Sequence, residues 1–111
     1  MTTTRTPTGY IPTNGSQSPW GTIDDVVPYG DGIYFVGTPS HGGFFVDLAL
    51  LAKIDADGRR FAAKWSHGWG TQWYEEDSAC VYVVAAFPDR FEPAQVDAAD
   101  RAVQRLAIQE A

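Results

Sequence analysis

The chain has 111 residues, of which 44% are hydrophobic and 14% aromatic, enough for one domain with its own core and too few for two. A formal net charge of −6 excludes non-specific affinity for nucleic acid or an anionic membrane, both of which take a basic footprint, and fits a partner with a basic surface. The single cysteine, Cys80, excludes an internal disulfide and any multi-cysteine zinc site.

Residues 1–18 are rich in Thr, Pro and Gly and carry almost no periodic apolar pattern. Such a composition does not offset the entropy of ordering, so it reads as a flexible arm with Tyr10 and Ile11 as its only docking groups, ahead of one globular domain over 19–111. The start has no apolar signal core, and no apolar run reaches the roughly 20 residues that cross a bilayer. A soluble, cytoplasmic protein is therefore expected, monomeric or homodimeric, without a membrane contact.

Trp20, Ile23, Val26 and Val27 alternate imperfectly around Asp24 and Asp25, which suits a short strand or one loose turn ending at Pro28. Asp31 and its flanking glycines make a turn. Ile33 to Val36 is the clearest strand, with Ile33 and Phe35 on one face and Tyr34 and Val36 on the other. Gly43 to Val46 reads the same way, and Thr38 to Gly42 joins the two as an irregular hairpin tip. Asp47 suits the cap of a short helix from Leu48 to about Lys53. Asp55-Ala56-Asp57-Gly58 reads as its stop, leaving Arg59 to Trp65 as a further strand or an exposed connection.

The stretch Trp65 to Cys80, WSHGWGTQWYEEDSAC, must pass from core to surface within a few residues, because its aromatics want burial and its three adjacent carboxylates resist it. Glu75 to Phe87 fits a helix ended by Pro88, with the acids at the positive end of its dipole, although Cys80 to Val84 has the composition of a buried strand. Pro93 to about Gln109 reads as a C-terminal amphipathic helix on Val96, Ala99, Val103 and Leu106. The fold class is thus a small α+β domain, an antiparallel hairpin sheet packed with two or three helices.

Thr38 to Asp47 (TPSHGGFFVD) and Trp73 to Asp77 (WYEED), followed by Phe87-Pro88, are similar to a family of uncharacterised small proteins encoded on proteobacterial plasmids and phages. The resemblance spans roughly residues 19–91 and brings no activity with it. The family pattern has a cysteine directly after the YEED acids, where this chain has Ser78. The resemblance implies a mobile-element context, in which small acidic proteins bind host machinery, including inhibitors of the anti-CRISPR and anti-restriction type.

Two sites stand out. His41, between Ser40 and Gly42-Gly43, is an imidazole that rigid strands can present to a ligand. Glu75, Glu76 and Asp77 are crowded carboxylates, any one of which can serve as a proton acceptor, although on a helix all three would not converge. A metal would need His41, His67 and a carboxylate to meet, and no HExxH or paired Cys/His spacing supports one, so neither metal nor cofactor is expected. Cys80 lies in an apolar run downstream of three acids and reads as a buried, unreactive thiol. The leading expectation is a non-enzymatic module that binds a basic host protein through Trp69, Trp73, Tyr74, Glu75, Glu76, Asp77 and His41. The alternative is a small hydrolase or transferase using His41 with Glu75 or Glu76.

Overall fold

The structure, a computed structural model, describes residues 8–110. A two-stranded ribbon of β1 (Gln17–Ser18) and β2 (Gly21–Thr22) comes first. Next come β3 (Asp25–Pro28), β4 (Ile33–Gly37), β5 (Gly42–Val46) and, after an excursion, β6 (Trp73–Glu75), which form one antiparallel sheet in the order β3-β4-β5-β6. The helices are α1 (Ala56–Trp65), α2 (Cys80–Ala86) and α3 (Pro93–Glu110), with short 3-10 segments at Leu48–Lys53 and Pro88–Arg90. The domain is α+β, and its last element is the expected C-terminal helix. Among the described residues, no helix is long and apolar enough to cross a membrane.

The period of two sorts the sheet into two faces. Ile33, Phe35, Phe44 and Tyr74 pack towards the helices with Phe61, Tyr82, Val83 and Val103. Tyr34, Val36, Phe45 and Trp73 face the other way, with Trp20 and Ile23. Central β5 is buried along its whole length, which is why GGFFV carries no charge. Gly43 is required there, since a Cβ would overlap the Tyr74 carbonyl oxygen and come within 2.6 Å of the Trp20 ring.

The second aromatic face is covered by the segment expected to be a flexible arm. Tyr10 stands edge-on to Phe45 at 5.4 Å between centroids, Pro12 is fully buried, and Gly9 N donates to Asp47 Oδ1 at 3.1 Å. Gly15 N donates to Ile23 O, and Ile23 N to Ser16 O, each at 2.8 Å. Residues 8–18 are therefore part of the domain: an exposed face of Phe45 and Trp73 rewards their ordering with burial. The first seven residues of that expected arm lie outside the described residues.

Two helix boundaries differ from expectation. Asp55 begins a helix rather than ending one, its carboxylate accepting from Asp57 N at 2.8 Å, and α1 runs through the segment read as a strand or connection. Arg59 then donates back to Leu51 O at 3.0 Å, satisfying a carbonyl at the end of the 3-10 segment. Gly58, which looked like a helix stop, is where α1 meets α2: a Cβ would lie 2.6 Å from Tyr82 Cγ. The stretch 75–87 is neither one helix nor one strand. Trp73 and Tyr74 pair with Phe45 and Phe44, drawing Glu75 into β6, and α2 starts only at Cys80, with no side-chain cap on Ala79.

Candidate functional site

The hairpin tip is fixed by hydroxyls. Thr38 N donates to His41 O at 2.9 Å, while the Thr38 hydroxyl donates to His41 O at 2.6 Å and accepts from His41 N at 3.1 Å. Ser40 Oγ donates to Trp20 O at 3.2 Å, tying the tip to the β1–β2 ribbon. The His41 backbone is thereby locked while its ring stays half exposed.

On the neighbouring strand, Glu75 ends β6 opposite Gly43. Its Oε1 accepts from Asp77 N at 3.0 Å and from Ser78 Oγ at 3.1 Å, and its Oε2 faces His41 Nδ1 at 3.6 Å. Glu76 turns the other way, accepting from Gly42 N at 3.0 Å through Oε2 while its own N–H donates to Gly42 O at 2.9 Å. The 75–78 turn is thus held by its carboxylates and not by a helix dipole. In this arrangement the acids do converge: His41, Glu76 and Asp77 each bring a potential ligand atom within 4.8 Å of the other two.

A third wall comes from the end of α1. Ser66, fully buried, donates from Oγ to Gly70 O at 2.9 Å, and Trp69 N donates to Ser66 O at 3.0 Å. This closes a tight loop in which His67 takes φ +54° and Gly68 φ +86°. The left-handed conformation is unusual for a residue with a Cβ. The loop carries His67 to the same cleft as His41, Glu75, Asp77 and Ser78, which Trp20 and Trp65 also line. The cleft holds about 350 Å³. Trp65 is 44% exposed, with Lys64 Nζ 5.5 Å from its ring centroid.

The structure therefore brings His41 together with all three acids, and it redistributes the aromatics. Trp73 and Tyr74, 1% and 0% exposed, are core residues and have no surface to offer a partner. Trp69 is half-buried and packs edge-on to Trp73 at 5.8 Å. The most exposed indole is that of Trp65. Trp20, Trp65, His67 and Ser78 complete the cleft, and little in the sequence marks them. The glycine after His67 hints at a turn, but nothing local says which wall that turn joins.

Chemically the cleft offers two imidazoles, carboxylates and indole faces. Among the described residues, no hydroxyl or thiol is hydrogen-bonded to the His41 ring: Ser78 Oγ is engaged by Glu75, and Cys80 Sγ donates to Glu76 O at 2.8 Å. Burial first, and then the carboxylates of Glu75, Glu76 and Asp77, push the Cys80 thiol up to about 11, so it is not a ready nucleophile. Tyr74 is likewise raised by burial, and among the described residues its buried hydroxyl has no hydrogen-bond partner.

A family model described as a domain of unknown function (DUF7007) matches residues 13–110. No curated protein and no solved structure matches the chain significantly.

Proposed function

The chain belongs to the DUF7007 family of domains of unknown function, and from that premise and the geometry of the cleft we propose that it is an acidic protein-binding module. The observation that carries the reading is the exposed Trp65 indole in one cleft with Glu75 and Asp77. A large aromatic left in solvent beside carboxylates suits a cationic side chain, which the carboxylates attract and the ring face holds after desolvation. The binding set is then Trp65, Glu75, Asp77, His41 and His67. The partner is a protein with a basic surface. The net charge of −6 steers its approach and disfavours direct contact with nucleic acid.

The finer reading is a mobile-element product that occupies the nucleic-acid-binding surface of a host defence complex, in the manner of anti-CRISPR and anti-restriction inhibitors. It is supported by the acidic charge and by the likeness of the TPSHGGFFVD and WYEED segments to plasmid- and phage-encoded proteins. Affinity capture from a proteobacterial host tests it, with wild-type protein compared with Trp65→Ala and with Glu75→Gln/Asp77→Asn. A stoichiometric, salt-sensitive, nucleic-acid-binding partner that is lost with either cleft variant supports the reading. A partner retained by both variants removes the cleft from the interface.

The His41–Glu75 pair favours a second reading, a small hydrolase or transferase in which Glu75 orients the imidazole as a general base. The missing hydroxyl or thiol partner leaves that base to activate water or a substrate group. His41→Ala separates the two: it abolishes turnover if the cleft is catalytic, whereas binding carried by Trp65, Glu75 and Asp77 is weakened but not lost.

A further inference from the structure

We propose that His41, Glu76 and Asp77 form a binding site for a divalent transition-metal ion of zinc-like chemistry. The donor set is one imidazole nitrogen and two carboxylate oxygens, all within 4.8 Å of one another. Around a four-coordinate zinc with bonds of about 2.1 Å, ligand atoms sit about 3.4 Å apart. All three side chains are exposed, so rotations about their own bonds close the difference without moving the sheet. An imidazole with carboxylates favours zinc, cobalt, nickel or manganese over magnesium and calcium, which take all-oxygen shells.

The surroundings match what such a ligand set needs. Metal-bound histidines commonly present their second ring nitrogen to a carboxylate, which fixes the ring and raises its basicity. Glu75 Oε2 lies 3.6 Å from His41 Nδ1, just beyond hydrogen-bond distance, where a small rotation of the exposed ring would make it that partner, and Glu75 is itself anchored by Asp77 N and Ser78 Oγ. With Nδ1 facing Glu75, the proposed site takes Nε2 as the ligand. Glu76 is steadied at the site by Gly42 N, which donates to its Oε2. Glu75 is thus a positioning residue rather than a ligand. The site stands independently of the protein partner, and ion and partner compete for the same negative charge.

Calorimetric titration of tag-free, EDTA-treated protein with zinc chloride tests the site, with magnesium chloride as the comparison. One zinc per chain is expected, with magnesium giving no saturable heat. Affinity should fall at least ten-fold in His41→Ala and in Asp77→Asn, and about ten-fold in Glu75→Gln with the stoichiometry kept. In the wild-type protein, cobalt(II) should broaden the His41 ring resonances before those of acids on α3, a readout that does not depend on how any variant folds. No zinc binding, affinity unchanged in His41→Ala and Asp77→Asn, or broadening spread evenly over the surface acids would each overturn the proposal. Because no partner is present, none of these outcomes bears on the protein-binding reading.

Discussion

His41 Nδ1 faces Glu75 Oε2 at 3.6 Å across the β5–β6 edge, yet the two residues are anchored unequally. The Glu75 side chain is 12% exposed and the His41 side chain 50%, and Glu75 also holds Asp77 N and Ser78 Oγ. His41→Ala should therefore change stability by less than about 0.5 kcal/mol, as surface substitutions do. Glu75→Ala removes two hydrogen bonds from a tight turn and should cost about 1–3 kcal/mol, at about 0.5–1.5 kcal/mol for each bond. Denaturant unfolding of both variants checks this, and equal losses would contradict it.

Gly58→Ala offers a sharper test of packing. In an open helix the change would stabilise by about 1 kcal/mol. Here the new methyl would lie 2.6–2.8 Å from Tyr82 Cβ, Cγ and Cδ1, so overpacking of about 1–3 kcal/mol outweighs the propensity gain. A lower Tm for Gly58→Ala is expected, and a higher one would mean that α1 and α2 are not in close contact.

His67 holds φ +54°, which costs a residue with a Cβ about 1–2 kcal/mol. Glycine removes that strain and gives back about 0.4–1 kcal/mol through the greater freedom of the unfolded chain. His67→Gly should raise stability by up to about 1 kcal/mol, or a few degrees in Tm. His67→Val, β-branched, should lower it. The opposite order in thermal scans would contradict the loop geometry.

Cys80 supplies the pH dependence. Its thiol is raised from 9.0 to about 11, first by burial and then by the three acids upstream. The fold therefore favours the neutral form: this contribution to stability is complete below pH 9.0 and is lost as pH rises through about 11. Alkylation by iodoacetamide, with chelator present, should reach its half-maximal rate near pH 11 in the folded protein and near 9 in the denatured chain. A folded-state midpoint at or below 9.0 would contradict it.

Much of the sheet was legible because its signals are local. Ile33 to Val46 alternates with period two between glycines, and Asp47 announces its cap, accepting from Ala49 N at 3.5 Å. Asp55 to Gly58 misled because Asp-x-Asp-Gly has the composition of a turn as well as of an N-cap. What chose the cap was Gly58 meeting Tyr82, a long-range contact. The two halves of the site were each visible as chemistry, an imidazole between glycines and a run of acids. Their meeting was not, because it depends on Trp73 and Tyr74 pairing with β5, and the acids beside them argued for a helix instead. Trp65 and His67 were harder still, since their place on the cleft follows from the packing of α1 against β6, which no spacing reveals.

The central claim is that positive charge is recognised by this cleft and not by the acidity of the whole chain. The most direct measurement is a titration with a short oligoarginine peptide, followed by tryptophan fluorescence. Wild-type protein would be compared with Glu75→Gln/Asp77→Asn and with Asp97→Asn/Asp100→Asn, which removes the same charge from exposed positions on α3. At least ten-fold weaker binding is expected for the cleft pair and little change for the α3 pair. Equal weakening by both pairs would mean that binding is diffuse, and the cleft would lose its claim to be the site.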